Sequence, residues 1–162
     1  MTTSRPDFGF LVAHPAHFIA FGFGSGLAPK APGTAGTLLG LPLYWLIAAT
    51  TSSSILQAAL ILLAFLAGIW ICARTGRALG VPDHGGIVWD EIVAFALVLL
   101  FTPAGWLWTG LAFALFRLFD ILKPWPIRYF DARLKNGFGV MFDDLLAAGF
   151  AIAVLKGVAW LV

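Results

Sequence analysis

Acidic side chains gather beside the long apolar runs of this sequence. The carboxylates that do so are Asp90, Glu91, Asp120, Asp143 and Asp144. Several carboxylates without a cysteine suit a hard cation such as Mg²⁺. Such a cation neutralises phosphate charge, and a nearby carboxylate can orient or deprotonate an attacking water, while lysine and arginine bind phosphate oxygens. These residue types therefore predict phosphoryl transfer.

A structural role is the main alternative for each of these acids. Acids near the start of a helix stabilise its dipole, and Asp120 can pair with Arg117 or Lys123 at a spacing of three residues. Neighbouring residues on a helix point about 100° apart. In an adjacent acidic pair, one member can therefore face a site while the other supports it, and the two such pairs favour a functional site.

The composition of the chain predicts a membrane protein. Its 162 residues suggest one domain spanning residues 1–162. Of these residues, 60% are hydrophobic and 11% are charged, whereas soluble domains average about 25% charged residues. Charge is absent from residues 31–73, 92–116 and 145–155. Because the basic residues border these runs, they suit anionic lipid better than nucleic acid.

The apolar runs predict an all-α, polytopic transmembrane bundle of about five apolar helices. Each span needs roughly 20 mostly apolar residues. We expect the helices over residues 34–50, 55–73, 87–101, 102–120 and 139–162. An amphipathic helix at the membrane interface is expected within KPWPIRYFDARLKNG. Residues 8–27 can span, lie in the interface or re-enter, and their histidines and glycines favour an interfacial or re-entrant segment.

A turn at Thr102 and Pro103 decides where the acids lie. Thr102 resembles a helix N-cap and Pro103 a first-turn proline, so a new helix is expected to start here. Without that turn, residues 92–116 would form one span kinked at Pro103, and the basic residues would divide between the two sides of the membrane. With the turn, basic residues gather on one side, which the positive-inside rule assigns to the cytoplasm. The carboxylates then meet near the cytoplasmic helix ends.

The segment GSGLAPKAPGTAGT combines small residues with Lys30. Its backbone amides can approach a phosphate at the start of the first helix. It is not a Walker A motif, because it lacks GK[ST]. An equally good interpretation is a re-entrant turn with close helix packing at Gly36 and Gly40.

Four motifs resemble the phosphatidylglycerophosphatase A family. They are GSGLAPKAPGTAGT, DHGGIVWDEIVAF, FRLFDILKPWPIRYFD and GFGVMFDDLLAAG, in the family's order over about residues 22–149. The resemblance implies a Mg²⁺-dependent phosphatase of the bacterial inner membrane, with its active site on the cytoplasmic side. It would convert phosphatidylglycerophosphate to phosphatidylglycerol and phosphate, the last step of phosphatidylglycerol synthesis.

The resemblance falls on the charged residues of these motifs but does not divide the roles among them, so the following division is our own expectation. The carboxylates expected to hold the metal are Asp90, Glu91, Asp120 and Asp144. The residues expected to bind the phosphate are Lys30, Gly33, Thr34, Arg117 and Lys123. Asp143 or Glu91 would orient the attacking water, and a covalent aspartyl-phosphate is the alternative route.

Two other classes of protein compete with the enzyme. A transporter or channel for divalent cations would use the same acids, but it would hold them near the membrane midplane. A structural membrane subunit would need no acidic cluster. The expected position of the acids, within about a turn or two of the cytoplasmic helix ends, favours an enzyme that acts on lipid headgroups.

Overall fold

Helices form the architecture of the chain in its computed structural model, which describes residues 6–161. Eight α-helices and one 3-10 helix occur, and no strand lies within those residues, so the all-α prediction is confirmed. The final residue of the last predicted helix, Val162, falls outside the described range. The helices are α1 (Phe8–Val12), α2 (Pro15–Ala20), the 3-10 helix (Gly22–Leu27), α3 (Pro32–Thr50), α4 (Ser54–Leu79), α5 (Trp89–Leu100), α6 (Trp106–Leu122), α7 (Ile127–Arg133) and α8 (Gly137–Leu161).

Three of the helices are long and apolar enough to cross a membrane. They are α3, α4 and α8, with 19, 26 and 25 residues. Helices α5 and α6 have 12 and 17 residues. At a rise of 1.5 Å per residue, α5 reaches only about 18 Å, against a hydrocarbon core of about 30 Å. The structure thus supports a helical membrane protein, but it does not confirm the expected count of five spans.

Helices α5 and α6 are separate, as the predicted turn requires. Arg117 of α6 lies 3.6 Å from Glu91 of α5, so the end of α6 returns to the start of α5. The predicted cap is wrong, however, because α6 begins at Trp106 with Gly105 as its N-cap, at φ 123°. Glycine alone adopts such a φ readily. The Thr102 hydroxyl instead donates to the Val98 carbonyl in the last turn of α5.

The N-terminal segment folds into short helices and does not form a span. Helices α1 and α2 have only five and six residues, and a 3-10 helix follows them. The segment is held to two other elements, since the Val88 amide donates to the Ala20 carbonyl at 2.8 Å and the Thr75 hydroxyl to the Ala16 carbonyl at 3.4 Å. These bonds place it over the start of α5 and the end of α4, in agreement with the predicted non-spanning segment.

Small residues bring α3 directly against α5. A Cβ atom added at Gly36 would lie 2.5 Å from Cβ of Val88, and one at Gly40 would lie 2.9 Å from the Ile92 carbonyl oxygen. The close packing predicted for these two glycines is therefore present. It also brings the start of α3 beside the acidic first turn of α5.

A short amphipathic helix, α7, is present within the segment that was expected to lie at the membrane interface. Ile127 is fully buried, whereas Arg128 and Tyr129 are exposed. Helix α7 lies between the end of α6 and the start of α8, and its contacts are with α8. It therefore packs beside the part of α8 that carries the paired acids.

Candidate active site

Three carboxylates from two helices, two of them buried and one half-buried, form the centre of the candidate site, and we refer to them as the acid triad. Asp90 and Glu91 lie in the first turn of α5, and Asp144 lies in the second turn of α8. Each contributes an oxygen that lies within 4.8 Å of the other two. The start of α3 and the end of α6 also lie beside Glu91 and border the site.

Each member of the acid triad keeps a buried oxygen that has no hydrogen-bond partner. These atoms are Oδ1 of Asp90, Oε2 of Glu91 and Oδ2 of Asp144. Burying carboxylates without partners is costly, and three of them close together repel one another. A hard cation would offset both costs, since Mg²⁺ prefers carboxylate oxygens. The donor set and its unsatisfied atoms therefore fit a divalent cation.

Arg117 borders the acid triad from α6. Its Nη1 donates to Asp120 Oδ2, lies 3.6 Å from Glu91 Oε1, and lies 3.4 Å from the Thr37 hydroxyl. Its buried Nε has no partner among the described residues. Asp120, which was expected among the metal ligands, thus pairs with Arg117 beside the triad and does not belong to it.

Lys123 borders the site on the other side, at the end of α6. It caps the helix in the left-handed conformation, with φ 43°. Its Nζ donates to Asp143 Oδ2 and, at 3.0 Å, to Asp131 Oδ1. Burial alone would lower the pKa of Lys123, but these bonds and the charges of Asp143 and Asp131 outweigh it and raise that pKa above its ordinary range. Lys123 therefore carries its positive charge at any physiological pH.

Asp143 stands next to the acid triad without joining it. One of its oxygens accepts from Lys123, and the other, Oδ1, is buried without a partner among the described residues. The adjacent residue in α8 is the triad member Asp144. Asp143 faces Lys123, whereas Asp144 faces the other triad acids. This difference is possible because successive helix residues point about 100° apart.

The N-terminal motif reaches the site through its backbone. Gly33 packs so closely on Glu91 that a Cβ atom there would overlap the Oε1 atom and lie 3.3 Å from Arg117 Nη1. Thr34 is half-buried in the same turn of α3, whereas Lys30 is exposed in the preceding loop and forms no ion pair within residues 6–161. The structure therefore brings Gly33 to the site and leaves Lys30 at its edge.

Sequence reasoning missed two residues that contact the site. Thr37 is fully buried, donates to the Gly33 carbonyl at 2.8 Å and contacts Arg117. Asp131 holds Lys123 from α7. Both stand inside motifs that the sequence singled out. Thr37 also lies four residues after Gly33, on the same helix face, a spacing that could have identified it.

Comparison with known proteins identifies the family. A model of the phosphatidylglycerophosphatase A family matches residues 18–159, most of the chain. The chain belongs to the phosphatidylglycerophosphatase A family. The resemblance noted in the four motifs is thereby confirmed, and the chain is a phosphatase. A divalent-cation transporter receives no support from the match.

Curated relatives of the family agree with this assignment. A phosphatidylglycerophosphatase A from Haemophilus influenzae is 46% identical, over 99% of this chain and 98% of its own. The phosphatidylglycerophosphatase A of Escherichia coli is 39% identical, over 89% of this chain and 83% of its own. A Bacteroides thetaiotaomicron protein with the provisional name phosphatidylinositol-3-phosphatase is 40% identical, over 89% and 93%. No solved structure matches the chain.

Proposed function

We propose that the chain hydrolyses phosphatidylglycerophosphate to phosphatidylglycerol and phosphate, with Mg²⁺ held by the acid triad. This reaction is the last step of phosphatidylglycerol synthesis. The family and two of its named relatives support the substrate. The observation that supports the metal requirement is the set of three carboxylates within 4.8 Å, each with a buried oxygen that has no partner among the described residues. A cation among these oxygens would offset the cost of burying them and their mutual repulsion.

In this proposal, two basic side chains hold the phosphomonoester beside the triad. Mg²⁺ in the triad would offset phosphate charge and polarise the ester. Arg117 donates from its free Nε, and Lys123 donates from an ammonium that stays protonated. Both groups also stabilise the charge that builds up on the phosphoryl oxygens during transfer.

Asp143 is the proposed base for the attacking water. Its Oδ1 is free, while the bond from Lys123 fixes the orientation of the carboxylate. The water oxygen forms a bond to phosphorus as Asp143 takes its proton, and the phosphorus–oxygen ester bond breaks. The departing glycerol oxygen takes a proton from water and leaves as the hydroxyl of phosphatidylglycerol, and Asp143 releases its proton to water.

Removal of divalent cations tests the metal requirement. In uncharged detergent, EDTA should reduce phosphate release from phosphatidylglycerophosphate to background, and excess Mg²⁺ should restore it. The matched control is EDTA already saturated with Mg²⁺, which should leave the rate unchanged. Release that persists in EDTA after extensive dialysis would contradict a metal in the acid triad.

The proposed location is the bacterial inner membrane, with the site on the cytoplasmic side. Helices α5 and α6 would complete a five-helix bundle as shorter elements between α3, α4 and α8. Single cysteines at Ser53, in the α3–α4 turn, and at Lys135, before α8, test this arrangement in intact cells. Cys72 is fully buried and contributes little background labelling. We expect a membrane-impermeant maleimide to label only position 53, and equal labelling of both positions would contradict the topology.

A further inference from the structure

A cavity outside the acid triad opens between the end of α6 and the start of α7. Its volume is about 370 Å³. The residues that line it are Leu122, Lys123, Pro124, Trp125, Arg128 and Tyr129. Lys123 belongs both to this cavity and to the candidate active site, since its Nζ bonds to Asp143. Lys123 and its partner Asp143, which precedes Asp144 in α8, therefore connect the cavity to the acid triad.

The rim of the cavity carries aromatic and aliphatic side chains that are open to the surroundings. Trp125 is 81% exposed, and Leu122, which also lines the cavity, is exposed as well. Tryptophan and tyrosine concentrate where membrane meets water, because their rings combine an apolar body with a polar edge. A rim of this composition suits the depth of the lipid headgroups, where the phosphodiester of a phospholipid lies.

Two polar side chains in the cavity are free to bind an anion. Arg128 forms no ion pair with any acid in residues 6–161. Arg133 stacks on the Tyr129 ring at 4.2 Å and donates to its hydroxyl oxygen, which holds the ring in place. The hydroxyl proton of Tyr129 thus stays available for donation. Arg128 and Tyr129 together suit a phosphate group. Arginine can bind two oxygens of one phosphate through two parallel hydrogen bonds.

We propose that this cavity binds the phosphodiester of the lipid substrate through Arg128 and Tyr129. The inference rests on the proposed function and adds a second binding site to it. Phosphatidylglycerophosphate carries a phosphodiester and a phosphomonoester on either side of one glycerol unit. With the diester in the cavity, the glycerol passes Lys123 and the monoester reaches the acid triad, while the acyl chains remain in the bilayer. The cavity would thus select lipids that carry both phosphates.

Kinetics of Arg128→Gln test this assignment. In micelles of uncharged detergent, where the substrate is the only source of a phosphodiester, KM for phosphatidylglycerophosphate should rise about ten-fold or more, with kcat within about two-fold. Arg128→Lys should recover part of the loss, since it restores the charge but not the paired hydrogen bonds. Arg77→Gln removes an exposed arginine from the end of α4 and should leave both constants unchanged. An unchanged KM in Arg128→Gln would overturn the inference.

Inhibition by the two products separates the two binding sites. Phosphatidylglycerol has the diester alone, so its inhibition constant should rise in Arg128→Gln by about the same factor as KM. Inorganic phosphate has no diester, so its inhibition constant should stay the same. If both constants rise together, the variant has damaged the acid triad, and the assignment is wrong. A wild-type protein that releases no phosphate from phosphatidylglycerophosphate would instead refute the proposed function itself.

Discussion

Asp144→Asn should abolish phosphate release, lowering kcat by about a thousand-fold or more. Asp144 is 2% exposed and belongs to the only three-acid group of metal-binding geometry found within residues 6–161. An amide of the same shape carries no charge, so it holds a hard cation poorly. Steady-state phosphate release at saturating Mg²⁺ measures the effect. Wild-type turnover in this variant would remove Asp144 from the proposed metal site.

The same substitution should not destabilise the protein when no cation is present. Three carboxylates that lie close together repel one another, so removing one charge relieves that repulsion. Thermal unfolding in detergent should show a Tm in EDTA at or above the wild-type value. Mg²⁺ should raise the wild-type Tm and leave that of the variant almost unchanged, because only the folded wild-type protein binds the cation well. A large fall in Tm would indicate a structural role for Asp144.

Asp7→Asn is the matched control for that experiment. Asp7 caps α1, and its side chain accepts from the Phe10 amide at 2.9 Å. Asparagine is an equally good N-cap, so folding should be preserved. The control makes the same chemical change at an acid away from the triad, and we expect its activity and its response to Mg²⁺ to match the wild type.

Arg117→Lys should lower kcat/KM by about a hundred-fold. The Nη1 atom of Arg117 already contacts Asp120, Glu91 and Thr37, which leaves Nε for the substrate. The single ammonium of lysine cannot keep these contacts and also bind a phosphate oxygen. Arg117→Ala should in addition destabilise the fold by roughly 3 kcal/mol, because Glu91 and Asp120 lose their cation.

Arg74→Lys provides the comparison for Arg117. Arg74 is exposed near the end of α4, where its guanidinium lies 5.9 Å from the centroid of the Trp70 ring. The same exchange at this position should leave kcat/KM within about two-fold of the wild type. If Arg117→Lys also stays within that range, Arg117 does not bind the phosphate.

Local sequence properties were enough to predict the membrane class, the helical fold and the break between α5 and α6. Hydropathy and charge spacing depend only on residues that are close together in the chain, so they can be read directly from the sequence. The prediction that Thr102 caps α6 was wrong, because Gly105 supplies the backbone conformation from which α6 starts. The family motifs also contained every residue that the structure brings to the site.

The division of those residues into groups depended on the tertiary structure. Asp144 joins Asp90 and Glu91, whereas Asp120 pairs with Arg117, although all four acids stood in equivalent positions beside apolar runs. The difference depends on how α3, α5, α6 and α8 pack, through contacts between residues far apart in the chain. The length of α5, 12 residues within the expected range 87–101, likewise came from the structure and not from hydropathy. Sequence thus determined which side chains are available for chemistry, and packing decided which of them meet.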